Sequence, residues 1–495
     1  MNSKIKNVFQ NVSYSVLANG INTLVSMVLV FIVPKALGVR EYSYWQLYTF
    51  YVTYTGFFHF GWADGIYLKF GGKKYEELDK TYFNRQFWLL TFFEILIALV
   101  IGAVAYFGVD DSQKQIVLIL TGTCCILQLP RTLLQYILQI TDRIKDYAKN
   151  YMLEKIVYAV CVLSMLALGQ KNFVILISAD LFARLVTLVL LCIQCKDMVF
   201  RKLSCVGIGV RESGENIAIG SKLMFANIAG LLINGIVRFA IENHWNVETF
   251  GKVSLTMTMS NMLMVFISAV SVVIYPMLKQ TPEERLAQMY KTIRMMLMIP
   301  VLGMLLVYYP AKVLLSGWLP QYAESLKYMA LLFPMCVYES KVSLLINTYL
   351  KALRKEKMMM YINWGIVVIS CIITGVVVYV LDNLTLSIAS LTVILALRCN
   401  IAEIYLIRTL KISSGKTLLF EIGLALIFIV SSWMIQSWFC MLIYGAAYLA
   451  YLFYNKENLR PLIEQMGDGV FRKIMRKQNE HSSNFCRRDR NTHEQ

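Results

Sequence analysis

The stretch NGINTLVSMVLVFIVPKALGVREYSYWQL, Asn19 to Leu47, decides the fold. It closes an apolar run, 12–33, broken only by small polar residues and ended by Pro34; a second run opens at Tyr44. A helix of about 20 apolar residues covers the roughly 30 Å hydrocarbon layer of a bilayer. Open sheets cannot cross lipid, because every backbone polar group must find its partner within the segment, so runs of this length are helices. Working outward, the pattern recurs over 44–63, 86–108, 115–139, 151–168, 172–195, 219–241, 253–275, 292–310, 325–349, 359–381, 386–407, 417–435 and 438–454. The expected fold is therefore all-α, a polytopic membrane protein of about 14 transmembrane helices. Pro34, Pro276 and Pro310 fall at span ends, where a missing backbone donor costs least.

Composition agrees. Of 495 residues, 57% are apolar and 16% charged, whereas soluble domains run nearer a quarter charged. That excludes a soluble enzyme, a disordered chain and a disulfide-stapled secreted domain. The eleven cysteines lie mostly inside apolar runs and read as small hydrophobes. Cys192-x-x-Cys195 has no second half, and His481, Cys486 and His493 are irregularly spaced, so no metal site is expected. The net charge of +17 comes with no phosphate loop, RNA-binding signature or paired-cysteine finger. It reads instead as topology. With both termini cytoplasmic, the cytoplasmic segments collect 34 basic residues and the outer loops seven, as the positive-inside rule requires. Lys4 and Lys6 precede the first run with no small-x-small cleavage pattern after it, so that run reads as a membrane helix and not a signal peptide. Beyond the last span, Leu459, Leu462, Ile463, Met466, Val470 and Ile474 recur beside Arg472, Lys473, Arg476 and Lys477, a pattern for an amphipathic helix on the inner leaflet.

The chain also repeats itself. At an offset of 208 residues Asn19 meets Asn227, Ser26 meets Asn234, Val39 meets Val247, Tyr42 meets Phe250, Ser43 meets Gly251 and Leu47 meets Leu255. This lays the first helix over the seventh and predicts two like-oriented six-helix lobes related by an axis along the membrane normal. The expected division is 1–200 for the first lobe, 201–412 for the second, 413–455 for two further helices and 456–495 for a basic tail.

Function in such a chain sits where polar groups enter lipid, since a charge at mid-span costs on the order of 2.5–3.5 kcal/mol or more. Asn11, Ser15, Asn19, Asn22 and Ser26 share one face of the first helix; Asn227, Asn234, Arg238 and Glu242 form a stripe on the seventh. Such residues also serve simply as helix–helix hydrogen bonds, but their matching positions point to a shared polar cleft. Arg184 and Arg398 stand near the midplane of the corresponding sixth and twelfth spans. Asp180, one turn before Arg184, is placed to neutralise it in an ion pair, and Glu403 is expected to do the same, less directly, for Arg398. Asp64, Glu94, Arg131, Glu339 and Lys341 are secondary candidates. Guanidinium groups stay charged when desolvated and bind phosphate oxygens in bidentate fashion. The carboxylates either neutralise them or carry a coupling proton.

The polar first span followed by Pro34-Lys-Ala-Leu-Gly-Val-Arg-Glu-Tyr-Ser resembles the start of bacterial polysaccharide flippases, in which a Leu-Gly-x-x-x-(Tyr/Phe)-Gly turn joins the first two helices. Ser43 stands where that family usually has Gly; the second repeat restores it at Gly251. The Arg-bearing seventh span, the basic loop Lys351–Lys357 and the span count are similar too, whereas the Gly-rich approach to the twelfth helix is missing around Leu381–Ser390. The resemblance, covering residues 4 to 455, implies the multidrug, oligosaccharidyl-lipid and polysaccharide exporter superfamily and two bundles in a V around a central cavity. It implies a non-enzymatic flippase that moves undecaprenyl-pyrophosphate-linked oligosaccharide repeat units, for capsule or O-antigen type polymers, across a bacterial cell membrane. Its partners would be that lipid-linked oligosaccharide, membrane lipids and polymerase machinery. It implies no cofactor beyond coupling to a proton or sodium gradient, and carries cavity roles to Arg184, Arg238 and Arg398. Two other readings stay open: a multidrug exporter of the same superfamily, and a membrane-embedded polymerase or glycosyltransferase, which would need a larger outer loop than any here.

Overall fold

The computed structural model describes residues 3–203, 206–262, 264, 283–412 and 415–456. Among these residues there is helix and turn but no strand. The main helices are α1 (Ser3–Ala36), α2 (Val39–Thr55), α3 (Trp62–Phe70), α4 (Lys80–Gly108), α5 (Ser112–Ile140), α6 (Ile144–Ala167), α7 (Phe173–Gln194), α8 (Val206–His244) and α9 (Val247–Asn261). After a gap follow α10 (Glu283–Met304), α11 (Tyr308–Trp318), α12 (Met329–Ala352), α13 (Glu356–Val380), α14 (Leu384–Thr409), α15 (Gly415–Ile435) and α16 (Phe439–Tyr454). Several starts carry the side chain that their free backbone N–H groups need. Asp79 accepts from Thr81, Asp111 from Gln113 and Lys114, Asn172 from Val174, Asn246 from Thr249 and Asn383 from Leu386.

Eleven helical segments among the described residues are long and apolar enough to cross a membrane. The remaining three expected spans differ. The 438–454 span is the 16-residue helix α16. The 253–275 span starts within α9 and continues outside the described residues, as do Pro276 and the basic tail pattern from Leu459 to Lys477. The 44–63 span is not one helix: α2 stops at Thr55 and α3 restarts at Trp62. Between them Phe60 and Gly61 take positive φ, and His59 Nδ1 accepts from the Gly61 N–H at 2.9 Å. The cause is tertiary. A Cβ on Gly61 would lie 2.5 Å from the Gly220 backbone of α8, and one on Gly65 1.9 Å from the Asn216 carbonyl oxygen, so only glycine lets α3 and α8 touch. The expected loop from Lys196 to Glu215 is likewise helical from Val206 onward.

Helix α8 therefore crosses from one half of the chain to the other. Its first turns lie on α3 and α4, where Tyr82 and Gln86 bond Asn216 and Arg85 pairs with Glu212 at 2.7 Å. Its later turns pack on α13 and α14. These first contacts lie at the end of the bundle that carries the basic loops. At the opposite end α2 packs on α9, and there Ser43 fills the space that a Gly251 side chain would need. Those two residues are matched by the 208-residue offset in the sequence. Phe50 against Phe239 (4.6 Å) and Tyr42 against Tyr322 (5.7 Å) complete this seam.

Candidate functional site

Between the two contact zones, the α2–α3 break opens a cavity of about 220 Å³. Thr53, Gly56, Phe57, His59 and Asp64 line it from the break, Gln128, Leu129, Thr132 and Tyr136 from α5, and Met224 and Asn227 from α8. Gln128 and Thr132 are one turn apart on α5, and Pro130 between them cannot donate a backbone hydrogen bond. Hydroxyl, amide and carboxylate groups thus dominate the polar wall. The Tyr136 hydroxyl faces Asp64 Oδ1 at 3.4 Å.

The arginine of the sixth expected span stands behind this wall. Arg184 Nη1 donates to Gln128 Oε1 at 2.6 Å, and Nε to Asp180 Oδ2 at 2.7 Å. Tyr48 from α2 donates to the same Asp180 oxygen at 2.7 Å. Three helices therefore fix one guanidinium, and its link to the cavity is a neutral amide. Arg131, on the α6 side of α5, is paired with Glu154.

The other sequence candidates fall into separate places. Arg398 is buried; its Nε donates to Asn363 at 3.0 Å and its Nη1 stands 3.6 Å from Glu339. A Cβ on Gly230 would lie 3.8 Å from Arg398 Nη2, so this guanidinium faces α8 one turn past Asn227. Glu403 does not meet Arg398. It is fully buried between Arg294 and Lys341, which also contact Glu421; Arg294 reaches the two carboxylates at 2.8 and 2.9 Å. Tyr290 and Tyr451 donate to Glu403 and Glu421 at 3.0 and 3.2 Å. Arg294 lies midway along α10, which buries it in this quartet. Lys341 sits in a widened helical turn, Lys341–Ile346.

Arg238 and Glu242 lie at the opposite-end seam. The Arg238 guanidinium stacks over Phe50 at 4.4 Å and donates to Ser254 at 2.9 Å; Glu242 pairs with Lys114 of α5 at 2.5 Å and Tyr51 of α2. Asn234 is half-buried. On α1, Asn19 and Ser26 are exposed and Asn22 is half-buried, whereas the Asn11 and Ser15 side chains lie outside the described ones. The structure thus brings Asp64 and Asn227 into the cavity lining, Asp180 and Arg184 to the back of its wall and Arg398 to the neighbouring turn of α8, and it disperses the rest. Gln128, Thr132, Tyr136 and His59 were not singled out from sequence. The available signal was a cluster of Gln, Pro and Arg at 128–131 inside an apolar run.

The all-helical bundle with a polar cavity within it is similar to solved membrane transporters. The lipid II flippase MurJ in an inward closed conformation superposes with a TM-score of 0.59 at 11% identity, covering 91% of this chain and 100% of that one. An outward-facing multidrug resistance transporter of the MATE family, itself a member of the MOP superfamily, gives 0.44 at 12% identity over 82% and 96% of the two chains. No curated protein matches in sequence. The polysaccharide biosynthesis protein family model matches residues 47–319, more than half the chain, and the protein belongs to that family.

Proposed function

We propose that this protein is a flippase that carries undecaprenyl-pyrophosphate-linked oligosaccharide repeat units from the inner to the outer leaflet of a bacterial cell membrane. The observation that carries the reading is the cavity between the halves, with hydrogen-bonding groups on its wall and the Arg184–Asp180 pair directly behind Gln128. Amide, hydroxyl and carboxylate groups suit sugar hydroxyls. Arg184 and Arg398 supply bidentate donors for phosphate within a turn or a side chain of the wall. The polyprenyl tail stays in lipid while the head enters, and rocking of the two lobes changes the side to which the cavity opens. On this reading both termini and the basic loops are cytoplasmic, a proton or sodium gradient drives the cycle, and polymerase machinery takes up the delivered unit. The protein moves its cargo without altering a covalent bond.

Deletion followed by analysis of polyprenyl-linked glycans tests this. Complete repeat units should accumulate on the inner leaflet. Incomplete units would point to a synthetic enzyme, and unchanged glycans with altered dye efflux to a drug exporter.

A further inference from the structure

Glu94 stands at the centre of α4, as far from Lys80 as from Gly108, and is fully buried. Neither of its carboxylate oxygens has a hydrogen-bond partner. Every other buried carboxylate among the described residues is partnered: Asp180 by Arg184 and Tyr48, Glu154 by Arg131, Glu242 by Lys114, and Glu403 and Glu421 by Arg294 and Lys341. Its surroundings are closely packed. A Cβ on Gly122 of α5 would lie 3.3 Å from the Ala98 backbone, so α4 and α5 are in contact one turn from Glu94. The titratable group beside it on α5 is Cys125. On the side of α8, the charged pair Arg85–Glu212 lies at the basic-loop end of α4, about 14 Å along the axis from Glu94 at 1.5 Å per residue.

An ionised carboxylate held in apolar surroundings without a donor takes up a proton instead of keeping its charge. A helix contact of this kind has no packing need for a glutamic acid, since leucine or glutamine fills the same space. We propose that Glu94 is a proton-binding site within the membrane: it holds a proton in this closed conformation and releases it when α4 and α5 move apart and admit water. A group protonated in the closed state and ionised in the open one links the two conformations to pH. The closed state is then favoured at low pH, and the open-to-closed ratio rises by up to about tenfold per pH unit between the two titration midpoints. That this proton drives cargo across rests on the flippase reading; its binding and its link to helix movement do not.

The test uses the full chain in lipid nanodiscs without cargo. Infrared difference spectra between neutral and alkaline pH should show loss of a protonated-carboxyl C=O band, absent in Glu94→Gln and displaced in its titration in Glu94→Asp. Spin labels placed at exposed Val104 of α4 and Ile119 of α5, with native cysteines replaced, should report a separation of the two helices as pH rises, and Glu94→Gln should stay closed across the range. The same carboxyl band in wild type and Glu94→Gln would overturn the proposal, as would an identical pH response of the label distance in both. Neither result would bear on whether the protein flips glycolipids.

Discussion

Each half of the bundle buries a cluster of charge in the membrane, and the two clusters are built differently. In the second half, two cations and two carboxylates from α10, α12, α14 and α15 close on one another, with Tyr290 and Tyr451 filling the remaining acceptor sites. In the first half the Asp180–Arg184 pair is held by Tyr48 on one side and completed on the other by Gln128, which faces the cavity. Intramembrane charge by itself is thus no marker of a transport site. A quartet with matched charges and capped oxygens ties helices together, whereas the proposed function needs a cation such as Arg184, whose last partner is a neutral cavity-lining amide that cargo could replace.

The comparison can be broken most forcefully at the quartet. Glu421→Leu leaves Arg294 and Lys341 sharing one carboxylate. It should cost about 3–5 kcal/mol, seen as a collapse in the yield and melting temperature of detergent-solubilised protein. The double variant Lys341→Met with Glu421→Met should recover most of that loss, since a buried ion pair exchanged for apolar packing is often neutral. At the cavity the pattern should invert. Gln128→Leu removes an acceptor from Arg184 at about 1–3 kcal/mol, leaving a folded protein whose export, measured as surface polymer, falls by at least an order of magnitude. A Gln128→Leu protein that exports normally would place Arg184 with the structural cluster. Smaller effects are expected at the seam, where Lys114→Gln should weaken closure by about 1 kcal/mol, a roughly fivefold shift toward an open opposite end, read by distance measurements between the halves. The least should come from Tyr48→Phe, about 1 kcal/mol for one hydrogen bond to Asp180, with Arg184 still held and export nearly intact.

Most of the helical layout was legible in the sequence because lipid leaves the backbone so few options. Asp180 and Arg184 were readable as a pair because four residues bring two side chains onto one helical face. Arg398 and Glu403 are five apart, which turns them about 140° from each other; one therefore faces α8 and α13, the other α10 and α12. The quartet joins residues more than a hundred positions apart, such as Arg294 and Glu421, and no local spacing announces such a meeting. The α2–α3 break was hidden for a similar reason: Gly61 and Gly65 look like ordinary membrane-helix glycines until α8 is laid across them. Gln128, being neutral, gave no charge signal at all.

The contact of Ser43 with Gly251 has one more consequence. At that spot the molecule has room for a single side chain: a Cβ on Gly251 would come within 1.9 Å of the Ser43 hydroxyl oxygen. A protein assembled from two copies of its own first half would bring two serines to a place that holds one. Whatever symmetry the halves once shared, they have become a left shoe and a right shoe, no longer interchangeable parts.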